Sequence, residues 1–251
     1  MSAAEFYTGI VAEVYGLLRG AHFDAAPYLA FVRSEGEPAL ELGCGDVGPF
    51  LELVRHGLDV EGVDSSADMV RRCLERAAAA GLTARVHHQR MEDLALDRRF
   101  RAIYLAGPTF NLLPDDATAA RALRSIGRHL MPGGAALVPL WTPPPTPEEE
   151  IGRVREAVTD QGCRSSFTIL GEVYDPTTRS RTSRVRYQLD DADGSEELHR
   201  DWILHWYTAA GFGRMADDAG LTVESVDEPD ADERVVLLRR PAQTKLLTRR
   251  A

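Results

Sequence analysis

The sequence predicts an α/β fold: a doubly wound, mostly parallel sheet of seven strands with a small antiparallel β insertion acting as a lid. Three observations predict it. Short apolar runs alternate with amphipathic segments from Pro38 to Leu140. A glycine turn, Gly43–Gly48, follows the first of those runs and leads into a helix-like stretch. Beyond Trp141 the alternation gives way to three β-rich segments separated by turn residues.

The elements follow in order. Residues 5–33 carry apolar side chains at Phe6, Ile10, Val14, Leu17 and Leu18, then at Tyr28, Leu29 and Val32, which predicts helix. Pro38–Leu42 is a buried strand, and 49–56 is the helix leaving the glycine turn, with Pro49 suited to its first turn. Val60–Val63 is a second strand. Ser66 is placed to cap an Ala-rich helix running to about Ala80, where Gly81 stops it. Ala84–His88 and Ala102–Leu105 are the third and fourth strands. A helix over Asp116–Leu130 ends at Pro132-Gly133-Gly134, and Ala135–Leu140 is the fifth strand.

Thr142–Pro147 is a proline-rich joint, followed by an acidic helix from Glu148. Ser166–Tyr174, Thr182–Leu189 and Glu197–His205 read as an antiparallel meander, turned at Asp175-Pro176 and Asp191–Gly194. Thr208–Gly220 is a helix, and Leu221–Val226 and Arg234–Arg239 are the closing strands. The organisation is therefore a helical cap (1–36), a core (37–141), a linker and lid (142–207), the closing elements (208–240) and a tail (241–251).

Composition narrows the function. The formal net charge of −10 lowers the expectation of nucleic-acid or anionic-membrane partners, which call for a basic face. Cys44, Cys73 and Cys163 form no CxxC pair or Cys/His cluster, so neither a zinc site nor a disulfide framework is expected. No apolar run approaches the ~20 residues of a membrane span, and the N-terminus lacks the features of a signal peptide. These features predict a cytoplasmic protein.

The informative stretch is Glu41-Leu42-Gly43-Cys44-Gly45-Asp46-Val47-Gly48. Its G-x-G-x-x-G string is weak alone, because dinucleotide folds share it. Two carboxylates sharpen the reading. Glu41, two residues before the first glycine, suits a bound ammonium better than a pyrophosphate, which would be met by backbone N–H groups. Asp64, nineteen residues after Gly45 at a strand end, can accept both hydroxyl protons of a ribose.

With ELGCGDVG and VEGVDSSADMV, the chain resembles the class I S-adenosylmethionine-dependent methyltransferases over residues 37–141 and the closing strands, which have a Rossmann-like core. The resemblance implies S-adenosyl-L-methionine as cofactor. Gly43 and Gly45 would floor its methionine part, with Cys44 between them in the cofactor-binding set, Glu41 orient it, and Asp64 bind the ribose, with Ser65 and Met69 beside the adenine. Arg90, Met91 and Glu92 follow the third strand where adenine contacts are expected. Arg90 departs from the family, many of whose members have an acidic residue there. Tyr15 and Ala106 complete the expected cofactor set.

Ligands of open α/β sheets sit beyond the carboxyl ends of the strands, which points to Thr109, Phe110 and Asn111 for the acceptor. This loop lacks the Asn/Asp-Pro-Pro-aromatic motif of nucleic-acid amino methyltransferases. The meander resembles the lid of small-molecule methyltransferases, of the glycine/sarcosine and antibiotic-sugar types, as in secondary metabolism. Tyr7, Trp141, Trp206 and Tyr207 join the expected acceptor site, and His205 is the candidate base should the acceptor be a hydroxyl. The implied activity is methylation of a nitrogen or oxygen of a small-molecule acceptor, with no metal; a homodimer is compatible with it. Two alternatives stay open: a protein using the same cofactor for another reaction, and an NAD(P)-dependent reductase.

Overall fold

The computed structural model describes residues 3–19, 24–159, 162–191 and 194–242. The expected tail beyond 242, part of the Asp191–Gly194 turn, and the side chains of Leu17 and Leu18 lie outside the described residues.

The larger sheet contains β1 (Ala39–Leu42), β2 (Val60–Asp64), β3 (Arg85–His88), β4 (Phe100–Leu105), β5 (Leu130–Trp141), β10 (Thr222–Asp230) and β11 (Glu233–Arg239). Their order is β10-β11-β5-β4-β1-β2-β3. Pairing is parallel from β3 to β5, whereas β11 runs antiparallel to both β5 and β10. Seven strands, mostly parallel, were the expectation. β1 and β4 are buried throughout or nearly so, as strands covered on both faces must be. Chain order reverses at β1, with β2 on one side and β4 on the other, opening a crevice at their carboxyl ends.

The N-terminal stretch is not one helix. It divides into α1 (Ala3–Phe6), α2 (Ile10–Arg19) and α3 (Ala26–Glu35). Gly9 adopts φ +57°, and the corner's backbone groups are taken by another element. The Ser66 hydroxyl donates to the Tyr7 carbonyl, and the Gly9 N–H donates to Asp68 at 2.8 Å. Helix α4 (Phe50–Arg55) leaves the glycine turn after Pro49. Helix α5 (Ala67–Ala79) is capped as expected by Ser66, whose hydroxyl accepts the Met69 N–H. Helix α6 (Asp116–His129) is capped by Asp115, and α7 (Ala209–Asp218) by Thr208.

The insertion is a second sheet of four antiparallel strands: β6 (Val154–Val158), β7 (Arg164–Asp175), β8 (Ser180–Asp191) and β9 (Gly194–His205). The acidic helix expected from Glu148 is a single 3₁₀ turn, Glu148–Glu150. Gly152 at φ +82° ends it, and Val154-Arg155-Glu156-Ala157-Val158, with β-branched ends, pairs with β7 instead. One face of this sheet joins α1 and α2 in an apolar cluster containing Phe6, Ile10, Val11, Val14, Val185, Tyr187 and Leu189. Asn111 ties the two sheets together. Its amide donates to the carbonyls of Trp141 (2.7 Å) and His205 (2.8 Å) and accepts the Trp141 N–H (2.9 Å). No helix among the described residues is long and apolar enough to cross a membrane.

Candidate active site

The glycine turn lies across the crevice. Gly43 and Gly45 have φ of +71° and +53°, a region that favours glycine. A Cβ at Gly43 would meet the Thr109 methyl at 2.4 Å, so the loop after β4 can close on the turn only because the side chain is missing. A Cβ at Gly48 would stand 3.0 Å from a Glu41 carboxylate oxygen.

Two carboxylates flank the turn in different states. Asp64 is held by its own chain: Oδ2 accepts the Gly45 N–H and Oδ1 the Ser66 N–H, each at 2.8 Å. Burial pushes its pKa up against the pull of those bonds. Glu41 is fully buried, and neither of its oxygens has a hydrogen-bond partner among the described residues. Burial drives its pKa well above the ordinary carboxylate range. The Tyr104 hydroxyl, facing it from β4 but short of hydrogen-bonding geometry, pulls the other way. A buried, unpartnered carboxylate is costly and suits a cationic ligand group.

Around these groups lie two adjoining cavities of about 200 and 110 Å³. Asp64, Ser65, Met69, Arg90, Met91 and Glu92 line the first. Glu41, Cys44, Ala106 and Trp141 line the second. Tyr7, Tyr15, Gly43, Gly45 and Thr109 border both. The Tyr7 and Tyr15 rings meet edge to face at 5.2 Å above the turn. All twelve residues expected for the cofactor thus line the crevice, as do Tyr7, Thr109 and Trp141 from the acceptor set.

Five expected residues lie outside both cavity linings. His205 is buried, and its Nε2 lies 3.0 Å from Asp116 at the start of α6. Burial pushes Asp116 up, but its bonds to His205 and Arg179 outweigh this and hold it below the usual carboxylate range. The reason for the displacement is strand alternation: Trp202 and Leu204 of β9 line the second cavity, so their neighbour His205 faces the other way. Phe110 is fully buried against Tyr207 and Phe212. Tyr207 sits in the same cluster, its hydroxyl donating to the Phe110 carbonyl. Asn111 is consumed by the inter-sheet tie described above. Trp206 stacks on Tyr174, with ring centroids 5.2 Å apart.

Sequence reasoning missed three features. Leu204 was legible only once the inward face of β9 was known, whereas Trp202, which the sequence reads equally as sheet packing or pocket wall, lines the second cavity. Asp46, inside the glycine turn, is buried and receives Arg72 and Arg76 of α5 at 3.0 and 3.1 Å, fixing the turn against the helix. Arg181, within an arginine-rich run, is buried with its guanidinium over the rings of Trp141 (4.9 Å) and Trp202 (5.9 Å). It donates to the Pro144 carbonyl and pairs with Glu172 at 3.6 Å. Among the described residues, no group of three or more His, Cys, Asp or Glu is placed to hold a metal ion.

A family model described as a methyltransferase domain matches residues 39–134, from β1 to the start of β5. The dTDP-3-amino-3,6-dideoxy-alpha-D-glucopyranose N,N-dimethyltransferase of Streptomyces fradiae is 30% identical over 234 residues, covering 87% of this chain and 86% of its own. The chain belongs to the class I S-adenosylmethionine-dependent methyltransferases. The cypemycin N-terminal methyltransferase of a Streptomyces species is 28% identical over 93% of this methyltransferase and 94% of its own length. In three dimensions the chain is similar to DesVI of Streptomyces venezuelae, with a TM-score of 0.72 at 22% identity, covering 96% of this chain and 99% of that one. This last likeness extends the shared fold through the antiparallel lid sheet.

Proposed function

We propose that this methyltransferase binds S-adenosylmethionine across the two joined cavities and methylates the nitrogen of a small-molecule amine. The observation that carries the cofactor reading is Glu41. Its buried, unpartnered carboxylate beside a glycine turn is what the ammonium of an amino-acid-bearing nucleoside would satisfy, and what a pyrophosphate would be repelled by. Asp64, at the wall of the larger cavity, would hold the ribose hydroxyls, and Met69, Met91 and Glu92 would surround the base.

When bound, S-adenosylmethionine supplies an electrophilic methyl group whose bond to sulfur breaks with the electron pair left on sulfur. The residues of this chain contribute position and dryness. Gly43 and Gly45 let the backbone approach the ligand closely, Thr109 closes the loop over them, and the Tyr7–Tyr15 pair roofs both cavities against water. An incoming amine must be neutral at nitrogen, and the proton it sheds after transfer passes to solvent.

Nitrogen is favoured over oxygen by the second cavity. A hydroxyl acceptor calls for a general base, and no histidine is among that cavity's described lining residues, while His205 is engaged with Asp116. The names of the curated relatives point the same way, being those of N-methyltransferases acting on an amino sugar and on a peptide N-terminus. Calorimetry with S-adenosylhomocysteine and with NADH tests the reading. Binding of the former is expected; binding of NADH alone would overturn it.

A further inference from the structure

A third cavity of about 250 Å³ continues from the second. It lies between the helices of the N-terminal segment and the lid sheet, and shares Tyr7, Tyr15 and Trp202 with the second cavity. Phe6, Phe167 and Tyr187 supply the rest of its aromatic wall, already packed on one another: Phe6–Tyr187 edge to face at 6.1 Å and Phe167–Tyr187 tilted at 5.2 Å between ring centroids.

Arg155 and Glu156 are the charged members of its described lining. Each has a partner of opposite charge elsewhere: Arg155 donates to Glu150 at 2.9 Å, and Glu156 accepts from Arg164 at 3.3 Å. The rim is therefore electrically balanced. A diphosphate is held by clustered arginines and lysines or by helix N-termini. The lining offers neither, since its residues come from strands, from α1 and α2, and from the corner between them. A flat uncharged ring, by contrast, meets faces and edges of suitable polarity on several sides.

We infer that the third cavity holds an aromatic ring of the acceptor, so that the amine is aryl-bearing rather than attached to a nucleoside diphosphate sugar. This rests on the cofactor reading above, with the transferring methyl directed into the second cavity. The ring then anchors the acceptor remotely while its nitrogen enters past Trp202. Binding away from the reacting centre aligns the nucleophile. The net charge of −10 adds long-range attraction for a protonated amine and repulsion for a nucleotide.

The test uses the S-adenosylhomocysteine-loaded protein, titrated by calorimetry with tryptamine and separately with dTDP. Tryptamine is expected to bind at least tenfold more tightly than dTDP. Phe167→Ala is expected to weaken tryptamine about tenfold while leaving S-adenosylhomocysteine affinity within about twofold. Tighter binding of dTDP, no binding of tryptamine, or indifference of tryptamine to the substitution each overturns the inference. The comparison of the two ligands on the unsubstituted protein stands even if the variant does not fold. Failure of S-adenosylhomocysteine itself to bind would instead overturn the cofactor reading.

Discussion

Glu41 of β1 and Tyr104 of β4 occupy matching register positions on neighbouring parallel strands, which brings a carboxylate and a phenol together at the floor of the crevice. Neither side chain completes a hydrogen bond among the described residues, and burial drives both pKa values upward. The ligand-free fold therefore carries a destabilising pair at a place where a cation would relieve it.

The first prediction follows from Glu41. Its folded pKa is raised, so between the ordinary carboxylate range and that raised value the folded state holds a proton which the unfolded chain has released. Stability of the ligand-free protein must fall as pH rises through this interval. Glu41→Gln removes this contribution and should raise the melting temperature of the ligand-free protein at neutral pH. It should also weaken S-adenosylhomocysteine, by about 10- to 100-fold if an ammonium bond worth ~1.5–3 kcal/mol is lost. Thermal scans across pH, with calorimetry, check both signs.

Asp64→Ala should act on binding and stability together. The carboxylate now accepts the Gly45 and Ser66 N–H groups, so its removal strands two backbone donors at the glycine turn and at the start of α5. Leaving a buried donor unsatisfied costs about 1–3 kcal/mol. We expect a lower melting temperature as well as lost cofactor affinity. Unchanged affinity in a folded variant would remove Asp64 from the ribose role.

His205→Ala should behave as a structural substitution. Its partner is Asp116 and its neighbour is the Tyr207 ring, in edge-to-face contact at 5.0 Å. We expect the melting temperature to fall and kcat to stay within about threefold of the parent. A folded variant slowed by ~10² would instead put His205 on the proton path.

Arg181→Met should raise the acceptor's KM without altering S-adenosylhomocysteine affinity. The guanidinium supports Trp141 and Trp202, two walls of the second cavity, from behind, and pairs with the half-buried Glu172. Glu172 keeps its bonds from Thr146 and Ser183, so the loss of stability is expected at about 1–3 kcal/mol. A double variant that also carries Glu172→Met should be less stable still, because Thr146 and Ser183 lose their acceptor.

The legible parts of the molecule were those encoded locally. The strand-to-helix alternation, the glycine turn, Ser66 as a cap and Glu41 before the turn depend on neighbours a few residues away, and Asp64 was legible because it closes the next strand, nineteen residues after Gly45. What depended on distant pairing was lost. The face that β9 turns inward is set by its register with β8, so a histidine one residue from the cavity read as well as a leucine that lines it. The helix-like N-terminal stretch broke at Gly9 because Ser66 and Asp68, some 59 residues away, take its backbone groups. Asn111 sat in the loop expected for the acceptor, yet its amide is fully used in joining two sheets.

The way the roof is fastened sets how it can lift. At the Tyr7–Gly9 corner it is tied to the core by two hydrogen bonds, worth about 1 kcal/mol each, and at Gly16 it merely slides in against Arg76 and Val47. Its apolar side, however, is merged with β7 and β8. The lid sheet is in turn pinned to the larger sheet through Asn111, so the seam that yields to admit a nucleoside lies between the helices and the capping serine of α5.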